Sequence, residues 1–107
     1  MQRDLCVSYE RVGHVHRKLN EVGEALAAYK SGVALRQRIA DANPDDPQLQ
    51  SELAVTLYLI STVSGGGDAK DALTKALAIL EALERNKKLT SAQATWPNFI
   101  RGELAKL

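Results

Sequence analysis

The chain has 107 residues and a formal net charge of +1, and its length is that of one domain. Hydrophobic residues make up 45% and charged residues 25% of the sequence, which indicates a globular protein rather than a disordered one. The balance of charge argues against a general attraction to nucleic acid or to an anionic membrane, and 5% aromatic residues are few for a base-stacking surface.

The amino-terminal residues are charged and contain no apolar run, so we expect no signal peptide. No stretch approaches the roughly 18 apolar residues of a membrane span. The single cysteine, Cys6, cannot form an intramolecular disulfide or a cysteine-based zinc site, and we expect it to be a small buried side chain. These features predict a cytoplasmic protein.

Good helix formers dominate the chain, and three breaks divide its first 90 residues. The breaks are a weak one at Asn20-Glu21, the proline-bracketed turn at 43–47 and the glycine run at 64–68. A basic helix end and the capping residues Thr90 and Ser91 precede the last segment. The sequence therefore predicts an all-α fold of five helices, near residues 2–18, 22–42, 46–64, 68–86 and 91–106.

The helical segments repeat. Residues 2–13 align with residues 50–61, and six of the twelve positions carry the same or a similar residue, Leu5 with Leu53 and Val7 with Val55 among them. The segments that follow also match, although two registers are equally good. A helix–turn–helix unit recurring about every 45 residues predicts an α-solenoid, in which each hairpin buries its apolar face on its neighbour.

The first unit resembles a tetratricopeptide repeat. The large, small and aromatic positions of that repeat are matched by Tyr9, Val12-Gly13, Ala25, Tyr29, Gly32 and the later Pro44, whereas His16 replaces the usual aromatic residue. Small residues let two helix backbones approach, and the tyrosines fill the space beside them. The spacing exceeds the 34 residues of the standard repeat, which indicates a long-helix variant.

The resemblance implies an α-solenoid of two antiparallel hairpins and a C-terminal capping helix in a single domain. Repeat one would cover about 2–44, repeat two about 45–88 and the cap about 90–107. The cap's apolar residues follow helical spacing, and Pro97 is tolerated if the cap helix begins near Thr95. Because helix 50–64 has no charge after Glu52, it is expected in the middle of the stack.

The first hairpin has no polar cap before it, and two interpretations stay open. The chain is either the C-terminal piece of a longer repeat array, or its first hairpin packs against another copy in a homodimer. A simple monomer is the third alternative.

No catalytic or ligand-binding pattern is complete in this sequence. His14 and His16 point about 200° apart on a helix and cannot chelate one metal ion, and Glu10 with His14 lacks a third ligand. The glycine run at 64–67 lacks the Lys-Ser/Thr of a phosphate-binding loop. We therefore expect no enzyme activity, no cofactor and no metal.

The resemblance also implies a function, since the first helix of each tetratricopeptide unit lines a groove that takes a peptide or partner segment. Transferred to this chain, the partner-binding positions are Glu10, His14, Arg17, Tyr58 and Thr62. Glu10 stands where a carboxylate-clamp lysine would be expected, which excludes that specificity. The chain is predicted to be a non-catalytic protein-interaction scaffold acting through this groove or its open end. The alternative is an architectural C-terminal segment of a larger signalling or enzyme chain.

Overall fold

A computed structural model describes residues 2–107, with side chains from Asp4 onward. All regular secondary structure in this range is helical. The elements are α1 (Gln2–Lys18), α2 (Val22–Ala42), α3 (Pro47–Val63), α4 (Gly66–Arg85), a short 3-10 turn (Ser91–Gln93) and α5 (Trp96–Ala105). None of these helices is long and apolar enough to cross a membrane. The predicted all-α class is confirmed.

The first four helices begin and end within two residues of their predicted limits, and local signals explain why. Asp46 caps α3, since its carboxylate accepts hydrogen bonds from the backbone amides of Gln48 at 3.0 Å and Leu49 at 3.3 Å. Pro47 follows in the first turn of the helix, where its missing N–H costs nothing. Gly66, at the start of α4, has a φ of +55°, which favours glycine.

The predicted fifth helix, 91–106, was too long at its start. Residues 91–93 form a separate 3-10 turn closed by a capping box between Thr90 and Gln93, and α5 begins only at Trp96. Pro97 lies in the first turn of α5, so its ring and missing N–H prevent the helix from extending back through it. The expectation that Pro97 moves the start toward Thr95 is confirmed.

Two helices end in the same way, at Asn20 after α1 and at Lys87 after α4. Both residues have left-handed backbones, with φ of 61° and 57°. In each case the backbone amide of the following residue donates a 2.8 Å hydrogen bond back to the last turn of the helix. Glu21 donates to the carbonyl of His16, and Lys88 donates to the carbonyl of Leu83. This is a Schellman ending, which satisfies the last helical carbonyls and turns the chain sharply.

Each helix packs most extensively on its neighbours in sequence. Contacts between α1 and α2 join residue 14 to 29 and residue 10 to 36, so the two helices are antiparallel. Contacts between α1 and α3 join residue 10 to 56 and residue 17 to 62, so these two run parallel. The first and third helices therefore lie side by side in the same direction.

The core centres on α3, as the absence of charge after Glu52 predicts. Seven of its residues are buried: Ser51, Leu53, Ala54, Thr56, Leu57, Ile60 and Val63. Leu53 and Leu57 pack in one cluster with Leu73 and Leu80 of α4. The last helix joins the same cluster through Ile100, which is 4% exposed. Packing on several sides explains why this helix carries a single charged residue, Glu52.

Candidate functional site

An apolar cleft of about 230 Å³ opens between α3 and α5, with α4 at its floor. It is lined by Ala54, Val55, Tyr58, Leu80, Trp96, Phe99 and Ile100. The rings of Tyr58 and Phe99 meet edge to face, with centroids 5.4 Å apart and planes at 69°. Three of the five aromatic residues in the chain thus converge on one surface depression.

Two kinds of contact hold α5 where it forms this cleft. Ile100 and Pro97 are buried on its inner side. On its outer side, the Arg101 guanidinium donates to a carboxylate oxygen of Glu81 on α4 over 2.9 Å and to Asn98 over 2.7 Å. Phe99 remains 49% exposed on the anchored helix. The anchoring therefore presents an aromatic ring to solvent at the mouth of the cleft.

The five predicted partner-binding residues lie in four different environments. Glu10 is turned into the protein, and one of its carboxylate oxygens accepts hydrogen bonds from Arg36 Nε over 2.7 Å and from Thr56 Oγ1 over 2.6 Å. The other guanidinium side of Arg36 lies 3.6 Å from Glu52. Glu10 thus takes part in a charged cluster that joins α1, α2 and α3.

Arg36 is the centre of this cluster and is only 7% exposed. Burial lowers the pKa of the guanidinium, but its hydrogen bond to Glu10 and the charges of Glu10 and Glu52 more than offset burial and raise it. Arg36 therefore stays charged inside the fold, held between two carboxylates. The sequence predicts Glu10 as a groove residue and gives no sign of its partner Arg36.

His14 is half-buried and faces α2. Its Nδ1 lies 2.6 Å from the hydroxyl oxygen of Tyr29, and the two rings meet edge to face with centroids 5.5 Å apart. Burial raises the pKa of the Tyr29 hydroxyl, so the hydroxyl keeps its proton and can donate it to Nδ1 of a neutral imidazole. The main contact of His14 is therefore within its own hairpin.

Arg17 and Thr62 are both exposed and lie together. The guanidinium of Arg17 donates to Thr62 Oγ1 over 3.2 Å, which bridges α1 and α3 at the surface. Thr62 lies one turn beyond Tyr58 on α3, so the polar bridge adjoins the helix face that carries the cleft. Of the five predicted residues, Tyr58 alone lines the cleft.

The sequence predicts Trp96 and Phe99 as core residues of the cap helix and does not indicate Val55 as a site residue. Helical spacing correctly put Trp96, Phe99 and Ile100 on one broad face of α5. It could not show that the third helix leaves part of that face uncovered. The available signal was compositional, since three of the chain's few aromatic residues stand on the two helices that flank the cleft.

Cys6 is fully buried on α1, as expected. Burial raises the pKa of its thiol, although the nearby Arg36 partly opposes this. Because the thiolate is the reactive form, native Cys6 should react with a maleimide or disulfide reagent at least about 100-fold more slowly than in urea-unfolded protein. Stopped-flow thiol labelling measures both rates. Equal rates would mean that α1 detaches readily from the rest of the fold.

Within residues 2–107, no group of three or more His, Cys, Asp or Glu side chains could hold a metal ion. No family model, curated protein sequence or solved structure shows significant similarity to this chain.

Proposed function

We propose that this chain is a non-catalytic protein-interaction module that binds an apolar segment of a partner protein in the cleft between α3 and α5. The proposal includes the architecture inferred from the resemblance: two tetratricopeptide-like hairpins, α1–α2 and α3–α4, with α5 as the capping helix. In that arrangement the cleft lies between the first helix of the second repeat and the cap, on the face where the family binds peptides.

Two packing features support the repeat architecture. The helices α1 and α3 run parallel while α1 and α2 are antiparallel, as expected of successive hairpins stacked in one direction. The small and large residues of the repeat pattern also meet, because Gly13 lies directly against the ring of Tyr29. These contacts join the positions that carry the resemblance.

The observation that carries the binding proposal is the composition of the cleft. Its lining is aliphatic and aromatic, and the Tyr58 hydroxyl and the Trp96 indole N–H are the two polar side-chain groups among its seven residues. At about 230 Å³ it is smaller than the roughly 300–1,000 Å³ of small-molecule pockets and suits one or two apolar side chains. Aromatic residues around an apolar depression, which a partner would desolvate, are typical anchor points of protein interfaces.

The proposal predicts that peptides selected from a random dodecapeptide display library will share a leucine or aromatic anchor. Trp96, the only tryptophan, lines the cleft, so a bound peptide should shift its fluorescence emission. Val55→Lys and Phe99→Ala should each weaken the binding of a selected fluorescein-labelled peptide by about tenfold or more, because they charge or empty the cleft. Fluorescence anisotropy titrations give the affinities.

Val22→Lys is the matched control, because Val22 is also an exposed valine but stands in the first turn of α2. This variant should bind like the wild type, and circular dichroism should show that all three variants fold. Wild-type affinity in Val55→Lys and Phe99→Ala would place the peptide site elsewhere and overturn the proposal. Selected peptides without a common apolar anchor would do the same.

A further inference from the structure

A second apolar surface runs along α1 and is separate from the cleft. Its members are Leu5, Val12 and Val15 of α1 and Leu19 directly after it, all between 47% and 63% exposed, and we call this set the α1 seam. Among the described residues, eight large apolar side chains are exposed, and half of them belong to the seam. The buried face of α1 is different, since it carries Cys6 and Gly13. The helix is therefore apolar on two sides, and the fold covers one of them.

The spacing of the seam matches a helical partner. Positions 5, 12 and 19 are seven residues apart, and position 15 stands between the last two at the three-and-four spacing of a coiled coil. Ser8 occupies the remaining position of the pattern and is small. From residue 5 to residue 19 the stripe is about 21 Å long at 1.5 Å per residue. A stripe of this length and width suits one facing helix with interlocking side chains.

Charge along the edge of the seam favours a second α1 as that helix. Asp4 and Lys18 are both exposed, lie fourteen residues apart and therefore flank the same edge of the stripe at its opposite ends. A twofold axis across the middle of α1 would place Asp4 of one copy beside Lys18 of the other, and the symmetry makes this pair twice. A parallel pairing would instead turn this edge of one helix toward the opposite edge of its partner, so Asp4 and Lys18 would not meet.

We propose that two copies of this chain associate through an antiparallel, twofold-symmetric contact of their α1 seams. Leu5 of one copy then packs against Val15 of the other, and Val12 packs beside the small Ser8. Arg11 lies near the axis beside its own symmetry copy. One helix pair covers less than a standard protein interface, so the dimer is weak and its population rises with concentration over the micromolar range. The cleft between α3 and α5 is not part of this contact.

Sedimentation equilibrium of the intact chain from about 10 µM to 1 mM tests the proposal. The wild type should show a reversible monomer–dimer equilibrium. Val15→Lys should abolish it, because it places two lysines in the apolar contact. Val22→Lys, which changes a valine outside the defined seam, should dimerise like the wild type. A wild type that remains monomeric at 1 mM would overturn the proposal.

Charge exchange tests the twofold arrangement itself. Asp4→Lys and Lys18→Asp alone should each weaken the dimer about tenfold, because each replaces two attractive pairs by two repulsive ones. An equimolar mixture of the two variants should recover the wild-type affinity, since every edge pair is then again of opposite charge. Asp45→Lys, in the turn before α3, is the charge-matched control and should have no effect. A mixture that stays as weak as the single variants would exclude the antiparallel contact.

Discussion

Replacing Arg36 by methionine is expected to destabilise the folded chain by about 3–5 kcal/mol, the largest effect we predict for a single substitution. The guanidinium is buried, and it is held by a 2.7 Å hydrogen bond to Glu10 and lies 3.6 Å from Glu52. Removing it leaves two mostly buried carboxylates without the cation between them. Urea unfolding followed by circular dichroism at neutral pH gives the free energy of unfolding.

Two further variants show whether this loss of stability comes from the buried carboxylates of Glu10 and Glu52. The triple variant Glu10→Gln, Arg36→Met and Glu52→Gln removes all three charges and should regain a large part of the lost stability, because no buried charge then remains. Arg101→Met is the control for an exposed arginine, since its pairs with Glu81 and Glu84 lie at the surface and should contribute less than about 1 kcal/mol. Equal losses at positions 36 and 101 would contradict the buried-charge explanation.

Gly13→Ala is the second substitution with a large expected effect, and the expected change is a loss of about 1–2 kcal/mol. A Cβ atom at position 13 would lie 2.5 Å from Cε1 and 2.7 Å from Cδ1 of Tyr29. Tyr29 is fully buried and hydrogen-bonded to His14, so its ring cannot move aside cheaply. The cost of overpacking should therefore exceed the roughly 1 kcal/mol that alanine adds through helix propensity.

Gly32→Ala is the matched control within the same hairpin, and the sign of its effect should be opposite. Its Cβ would meet its nearest neighbour, Tyr9 Cβ, at 3.6 Å, which is an ordinary contact. This variant should gain about 0.5–1 kcal/mol from helix propensity alone. Thermal or urea unfolding of both variants measures the contrast. A gain in stability at both positions would mean that the helices do not approach closely at Gly13.

The helices of this fold were predictable because their limits depend on local chemistry. Asp46-Pro47 starts α3 and the glycine run ends it, and both signals are visible in the sequence. The 3-10 turn before α5 was missed, because Thr90 and Ser91 read equally well as the cap of a longer helix. The buried position of α3 follows from the absence of charge after Glu52, a property that does not require knowledge of its neighbours.

The candidate site was less predictable, because it depends on how helices distant in sequence pack. Tyr58, predicted as a groove residue, lines the cleft, but its companions Phe99 and Trp96 come from a helix about 40 residues later. Glu10 has the polarity of a groove residue, and nothing local indicates that Arg36 draws it inward. A charged side chain can be buried only where an oppositely charged partner lies beside it, and which residues become neighbours depends on the assembled fold.

The packing of each helix on its neighbours in sequence also affects how the chain reaches its folded state. Most contacts form between segments joined by short turns, so little loop entropy opposes them and folding should be fast for a chain of this size. The final helix, α5, packs mainly on α4 and has no later helix among the described residues to hold it in place. This segment forms one wall of the cleft. Each time α5 detaches from α4, the cleft is lost, while the helices α1 to α4 can stay folded.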